Sequence, residues 1–189
     1  MTEVLIVIGA AAFLALLWLI ITYNRFISLR QHIRESWADI DVELKRRHDL
    51  IPNLVETVKG YAAHERTVLE EVTTLRRQVL THQGCDDTLG ADESALMLAV
   101  GRLFAIAEAY PDLKADTGFR QLQQQLADTE DRIAASRRFF NANVRDYRRL
   151  RESFPTNIVA NLFKFAQEAF FELTDQAERV VPRINLGTA

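Results

Sequence analysis

The chain has 189 residues, with 23 Lys and Arg against 26 Asp and Glu and a formal net charge of −3. That balance supplies no global field to select nucleic acid, and the single cysteine, Cys85, excludes an internal disulfide and so gives no sign of an oxidising compartment. Seven glycines and four prolines are few, strand-like alternation is absent, and Ala, Leu, Glu, Arg and Gln dominate, which predicts an all-α protein.

Val4 through Ile21 is a run of eighteen uncharged residues, rich in Val, Leu, Ile, Ala, Phe and Trp. As a helix it is roughly 27 Å long, enough for a hydrocarbon core near 30 Å. A cleaved secretory signal would need a positive n-region and a small-residue exit. Met1-Thr2-Glu3 has no Lys or Arg, and Thr22-Tyr23-Asn24-Arg25-Phe26 offers no such exit, so a retained anchor over 1–24 is expected in preference to a signal or a buried core helix. Arg25, Arg30 and Arg34, then Lys45, Arg46 and Arg47, all lie on the C-terminal flank. Positive charge prefers the cytoplasmic side, which predicts an inner-membrane, single-pass protein with its N-terminus out and its helical domain, 25–173, cytoplasmic. Trp18 and Tyr23 suit an interfacial aromatic belt.

Past the anchor, alternate steps of three and four from Phe26 to Val79 meet apolar residues at thirteen of sixteen positions, where composition alone gives about eight. Arg30, Arg47 and Glu65 are the exceptions. This is a heptad-like helical seam. A second seam runs Leu96, Val100, Leu103, Ala107, Tyr110. A third runs Phe119, Leu122, Leu126, Thr129, Ile133, Phe140, Val144, Tyr147, Leu150. The breaks are the polar stretch Gly84 to Gly90, then Tyr110-Pro111-Asp112, then Phe154-Pro155-Thr156, because Pro cannot continue a helix and restricts its predecessor. Asp116 or Thr117 is placed to cap the third seam. Pro52 and Gly60 are each able to reverse the chain, although the seam keeps phase through Pro52, as it would across a kink. Without a reversal the first helix past the membrane would run about 60 residues, roughly 90 Å, more than the two later helices cover. The expected architecture is therefore a transmembrane helix followed by an antiparallel four-helix bundle, the last helix returning toward the membrane, with a disordered tail over 174–189.

Catalytic and metal signals are weak. His64-Glu65-Arg66-Thr67-Val68 opens like HExxH but has Val where the second ligand belongs. The residues three before His32, His48, His64 and His82 are Leu29, Lys45, Tyr61 and Val79, so the Glu-x-x-His of di-iron bundles is missing. Cys85 beside Asp86 and Asp87 has its thiol pKa pushed up, which suits a spectator. Acidic pairs such as Glu70-Glu71 and Glu130-Asp131 fall outside the seams and read as solvated helix faces. No catalytic residue, metal ligand or cofactor is expected.

Two segments stand out. Residues 137–151 hold six arginines and one acid, Asp146. Three readings are open: a solvated face with snorkelling stems, a surface for anionic lipid headgroups, or a protein-binding surface. Nucleic-acid binding is disfavoured by the acidic balance and the lack of a docking motif. Asn157 to Glu172 carries Phe163, Phe165, Phe170 and Phe171, and reads as packing under the bundle, an interfacial amphipathic helix or a partner face. Arg145, Arg148, Arg149, Arg151, Phe163, Phe170 and Phe171 are the candidate lipid or partner surface.

From Tyr23-Asn24 onward, through Trp37-Ala38-Asp39-Ile40-Asp41-Val42 and above all the specific block Leu44-Lys45-Arg46-Arg47-His48-Asp49-Leu50-Ile51-Pro52-Asn53-Leu54-Val55-Glu56-Thr57-Val58-Lys59-Gly60-Tyr61-Ala62, the sequence resembles the LemA family. Tyr110-Pro111-Asp112-Leu113-Lys114-Ala115, Arg137-Arg138-Phe139-Phe140-Asn141, Val144-Arg145-Asp146-Tyr147 and Phe154-Pro155-Thr156-Asn157 extend the resemblance to about Glu172. It departs at Phe140, where the family usually shows Tyr, and at Arg148, where Asn is common. The resemblance implies a single-pass anchor, a mostly antiparallel helical bundle, no enzymatic activity and a place in the bacterial envelope. Relatives take part in forming magnetosome membranes, and some occur beside membrane zinc metallopeptidases, which implies such a partner. From all this, two functions are expected in order: a non-catalytic scaffold or adaptor binding another membrane protein, then a self-associating membrane organiser that engages anionic lipid. An enzyme with an unrecognised site is a distant third.

Overall fold

The computed structural model describes residues 1–82, 84 and 88–172. The expectations for Cys85 and for the tail over 174–189 lie outside the described residues. Six helices follow in order: α1 (Thr2–Tyr61), α2 (Arg66–Val79), α3 (Leu89–Ala109), α4 (Pro111–Ala115), α5 (Thr117–Glu152) and α6 (Thr156–Leu162). No strand occurs among the described residues, as the composition predicts. The described residues form two compact units, both drawing on α1 and α5: one from 1–44 and 131–170, the other from 45–130 with Phe171 and Glu172.

In the first unit, the apolar window at the start of α1 is left wholly uncovered, and it is the candidate membrane span among the described residues. Beyond it, α1 buries Phe26, Ile33, Ile40 and Leu44, and α5 buries Ile133, Phe140, Val144, Tyr147 and Leu150. These are seam positions, and the two helices run antiparallel: Glu43 pairs with Arg132, Trp37 with Phe140 at 5.6 Å between ring centroids, Ser36 with Asn143, and Phe26 with Tyr147 at 5.8 Å. Thus α5 returns toward the apolar end of α1, as expected.

Of the readings open for the Phe-rich segment, packing holds for Phe165 and Phe171, which are buried. One continuous amphipathic helix over Asn157 to Glu172 does not form, because α6 ends at Leu162. Lys164 takes a left-handed φ of 53°, the Phe165 N–H donates to the Ala160 carbonyl at 2.9 Å, and the Lys164 N–H donates to the Asn161 carbonyl at 3.3 Å. This pair of bonds is a Schellman stop. It turns the chain so that Phe165 stacks on Phe26 at 4.5 Å, and residues 163–172 continue without helix.

The second unit is an up-down-up-down four-helix bundle of 45–61 of α1, α2, α3 and 117–130 of α5. Its core joins Ile51, Leu54 and Val58 to Leu69, Val72 and Val79, to Leu96, Val100 and Leu103, and to Phe119 and Leu126. The Asp116 carboxylate caps α5 by accepting the Phe119 N–H at 2.7 Å, and this bond first, then the Tyr61 hydroxyl, lowers its pKa. Gly90 has no Cβ because none fits: one would lie 2.2 Å from the Glu172 carbonyl oxygen.

The chain reverses at neither Pro52 nor Gly60. Helix α1 runs 60 residues through both and turns at 62–65, where the Ala62 N–H reaches the Val58 carbonyl and the Glu65 N–H the Ala62 carbonyl. A helix of about 60 residues past the membrane never arises, because α1 turns after Tyr61 and its 60 residues include the apolar span. Pro52 lacks an N–H, so the His48 carbonyl four residues earlier loses its helical donor. The Arg76 Nε–H of α2 donates to that carbonyl at 2.7 Å. Removing Arg76 strands a part-buried carbonyl, which costs about 1–3 kcal/mol. Arg76→Leu therefore destabilises the full chain, measured by thermal unfolding in detergent. In a Pro52→Ala background, where residue 52 again has an N–H, the same change costs at least about 1 kcal/mol less, and equal costs in both backgrounds would refute the repair.

Candidate functional site

The structure separates the seven surface residues singled out from sequence. Arg148 and Arg151 do not simply face solvent: the Arg148 Nε–H donates to the Glu168 carbonyl at 2.8 Å and the Arg151 Nε–H to the Phe165 carbonyl at 3.1 Å. The Tyr147 hydroxyl donates to the Ala166 carbonyl at 2.8 Å. Burial first, then the Glu168 carboxylate, raise the Tyr147 pKa, so the phenol keeps the proton it donates. These side chains take the place of the helical bonds that residues 163–170 lack. The Arg148 guanidinium also lies 4.3 Å from the centroid of Phe170. Arg145 and Arg149 are exposed, as is Phe163, which packs its ring edge on Tyr23 at 4.9 Å. Phe171 is buried in the second unit beside Gly90.

The densest polar constellation is one that sequence reading missed. Arg47, fully buried, occupies a core position of α1 in the second unit. Its Nη2 donates to Glu93 Oε2 of α3 at 2.5 Å and its Nη1 to Glu130 Oε2 of α5 at 2.6 Å. The next residue, His48, pairs its Nε2 with Glu93 Oε1 at 2.8 Å. Glu93 is also fully buried, so both its oxygens are satisfied by α1 alone. Arg47 Nε has no acceptor among the described residues. With Arg76 on the His48 carbonyl, the dipeptide Arg47-His48 binds α2, α3 and α5 to α1. Glu130 is thus more than a solvated acid. The sequence signal was Arg47 itself, a charge in an otherwise apolar seam.

Burial alone would push the Glu93 carboxyl up, but the His48 hydrogen bond and the Arg47 charge outweigh it and lower its pKa. A depressed carboxyl stabilises the fold above its unfolded pKa, and that contribution is lost as pH falls through the lower folded value. Arg47, His48, Glu93 and Glu130 pair with one another across three helices, the arrangement of a structural clamp. Among the described residues no group of three or more His, Cys, Asp or Glu is placed to hold a metal ion. His64 lies exposed in the turn before α2.

Removing one partner of a buried ion pair costs about 3–5 kcal/mol, whereas replacing the pair with apolar residues is far milder. Arg47→Met therefore destabilises the chain by about 3–5 kcal/mol. Adding Glu93→Leu recovers part of that loss in the double variant, read from denaturant midpoints at unchanged slope. A double variant as unstable as the sum of the two single changes would contradict the clamp.

Residues 36–186 match the LemA family. Among curated proteins the chain is 25% identical to magnetosome protein MamQ of Magnetospirillum gryphiswaldense, over 81% of this chain and 65% of that protein. It is 25% identical to magnetosome protein MamQ 2 of Paramagnetospirillum magneticum, over 89% of this chain and 71% of that one. It is also 25% identical to protein LemA of Metamycoplasma hominis, over 88% and 74%. The chain spans just under two thirds of the first of these relatives. The matched region contains Arg47, His48, Arg76, Glu93 and Glu130, the residues that knit the bundle. The chain belongs to the LemA family, and its apolar N-terminal helix marks it as a membrane-associated member.

Proposed function

We propose that the protein is a non-catalytic scaffold that tethers a helical bundle to the inner membrane and there binds another membrane protein. The observation that carries this reading is the continuity of α1. The apolar span and the bundle's first helix belong to one helix from Thr2 to Tyr61, so the bundle is joined to the span without an intervening loop. The buried charges are engaged with one another, which leaves outer helix faces as the working surface. Basic residues Arg25, Arg30 and Arg34 just past the span favour a cytoplasmic bundle. A membrane zinc metallopeptidase is a fitting partner on family grounds.

A second reading, a self-associating membrane organiser, draws support from the likeness to magnetosome proteins. Photo-crosslinkers at the exposed positions Leu98 and Phe139 of the full chain, activated in native membranes, distinguish the two. The scaffold reading expects reproducible adducts with one membrane protein, formed on the cytoplasmic side. Adducts only with a second copy of the chain would favour the organiser, and an absence of adducts would contradict both.

A further inference from the structure

One face of the first unit is built for the boundary between lipid and water. Starting the hydrocarbon core at Val4 puts its far edge near Thr22 and Tyr23, since about 20 helical residues cross it. At that level α1 is no longer bare. Thr22 is buried, and Tyr23 packs on Phe163 at the end of α6. On α6 and the loop before it, Phe154 is 81% exposed, Ile158 56% and Leu162 64%. Ile158 and Leu162 are four apart and share a helix face. Large apolar side chains left exposed together on one short segment are the kind of surface that marks an interaction site. The Tyr23–Phe163 contact ties the end of α6 to α1 just past Ile20 and Ile21, which are exposed and lie within the span that the bilayer covers.

Charge at the same place is suited to a headgroup. A cleft of about 460 Å³ opens between the start of the basic flank and the end of α5, lined by Arg25, Leu29, Asp146, Arg149, Leu150 and Phe154. Arg149 is 74% exposed and only loosely paired with Asp146 at 4.0 Å. Two guanidinium groups against one carboxylate leave the cleft cationic. Its rim residue Phe154 is one of those exposed apolar side chains. A cationic cleft next to apolar side chains at membrane level matches a phosphate carrying acyl chains, and a free anion has no use for the apolar half.

We propose that α6 and its preceding loop lie in the bilayer interface as a second membrane contact, and that the Arg25–Arg149 cleft seats the phosphate of an anionic phospholipid. This rests on the tether of the proposed function, and on nothing concerning a protein partner.

Two measurements test it on the full chain. Native mass spectrometry in detergent compares dioctanoyl phosphatidylglycerol, dioctanoyl phosphatidylcholine and inorganic phosphate on wild type and on Arg25→Gln/Arg149→Gln. The expectation is a phosphatidylglycerol adduct weakened on the order of tenfold in the variant, since each Arg near such a surface contributes about a kcal/mol. Equal retention in the variant, phosphatidylcholine binding as well as phosphatidylglycerol, or inorganic phosphate competing at equal concentration would overturn the headgroup seat. In phosphatidylglycerol nanodiscs, a fluorophore on Ile158→Cys in a Cys85→Ser chain should be quenched by brominated lipid several-fold more than one on Leu98→Cys. Equal quenching at the two sites in a membrane-embedded chain overturns the interfacial contact alone, whereas a chain absent from the membrane fraction overturns the tether.

Discussion

A charged residue in a helical seam can stay buried only if its neighbours supply the opposite charge at hydrogen-bond distance. Arg47 meets that condition through Glu93 and Glu130, and the bundle is organised around the result. One residue on, His48 completes Glu93 with its ring and receives Arg76 on its carbonyl. Three helices, α2, α3 and α5, therefore converge on two adjacent residues of α1. Apolar packing among Ile51, Leu54, Leu96 and Leu103 supplies much of the burial, but it is tolerant of sliding. The polar contacts admit one register, since a shift by a turn would leave Glu93 or Arg47 uncompensated.

The same dipeptide explains how a proline sits inside the longest helix. Pro52 removes a backbone donor four residues beyond His48, and the cost is met from α2 rather than by breaking α1. Because the helix survives, the apolar residues at its start and the bundle residues near its end belong to one element. A substitution at Arg76 or Glu93 thus bears on a helix whose first third is apolar enough for a bilayer. In the first unit a related economy holds: Tyr147, Arg148 and Arg151 give their donors to backbone carbonyls of a segment that α6 could not extend past Lys164.

Much of this was legible from residues alone. Phe26, Ile33, Ile40, Leu44, Ile51, Leu54 and Val58 were named by their spacing, and all are buried, because 3.6-residue periodicity reports the inward face directly. Of the two cap candidates Asp116 and Thr117, Asp116 accepts the Phe119 N–H. The turn after α1 was not legible, since Gly60 and Pro52 are stronger local signals than Ala62-Ala63-His64-Glu65, and tertiary contacts decided against both. The Arg47 clamp was visible only as an anomaly in one seam. Its partners lie 46 and 83 residues away, and pairing them needs the register between helices, which periodicity within one helix does not carry. The early stop of α6 was hidden for a simpler reason: Lys164 occupies a left-handed position where Gly or Asn is the usual sign.

Hydrogen exchange of the full chain in lipid nanodiscs, resolved along α1, tests the shared helix most directly. Continuous protection is predicted from the apolar span through the residues after Pro52, with amides 53–61 exchanging as slowly as the buried face of α3, because both are released only when the clamp opens. Fast exchange confined to residues 50–56, with slow exchange on either side, would show a break at Pro52 and would contradict a helix unbroken to Tyr61.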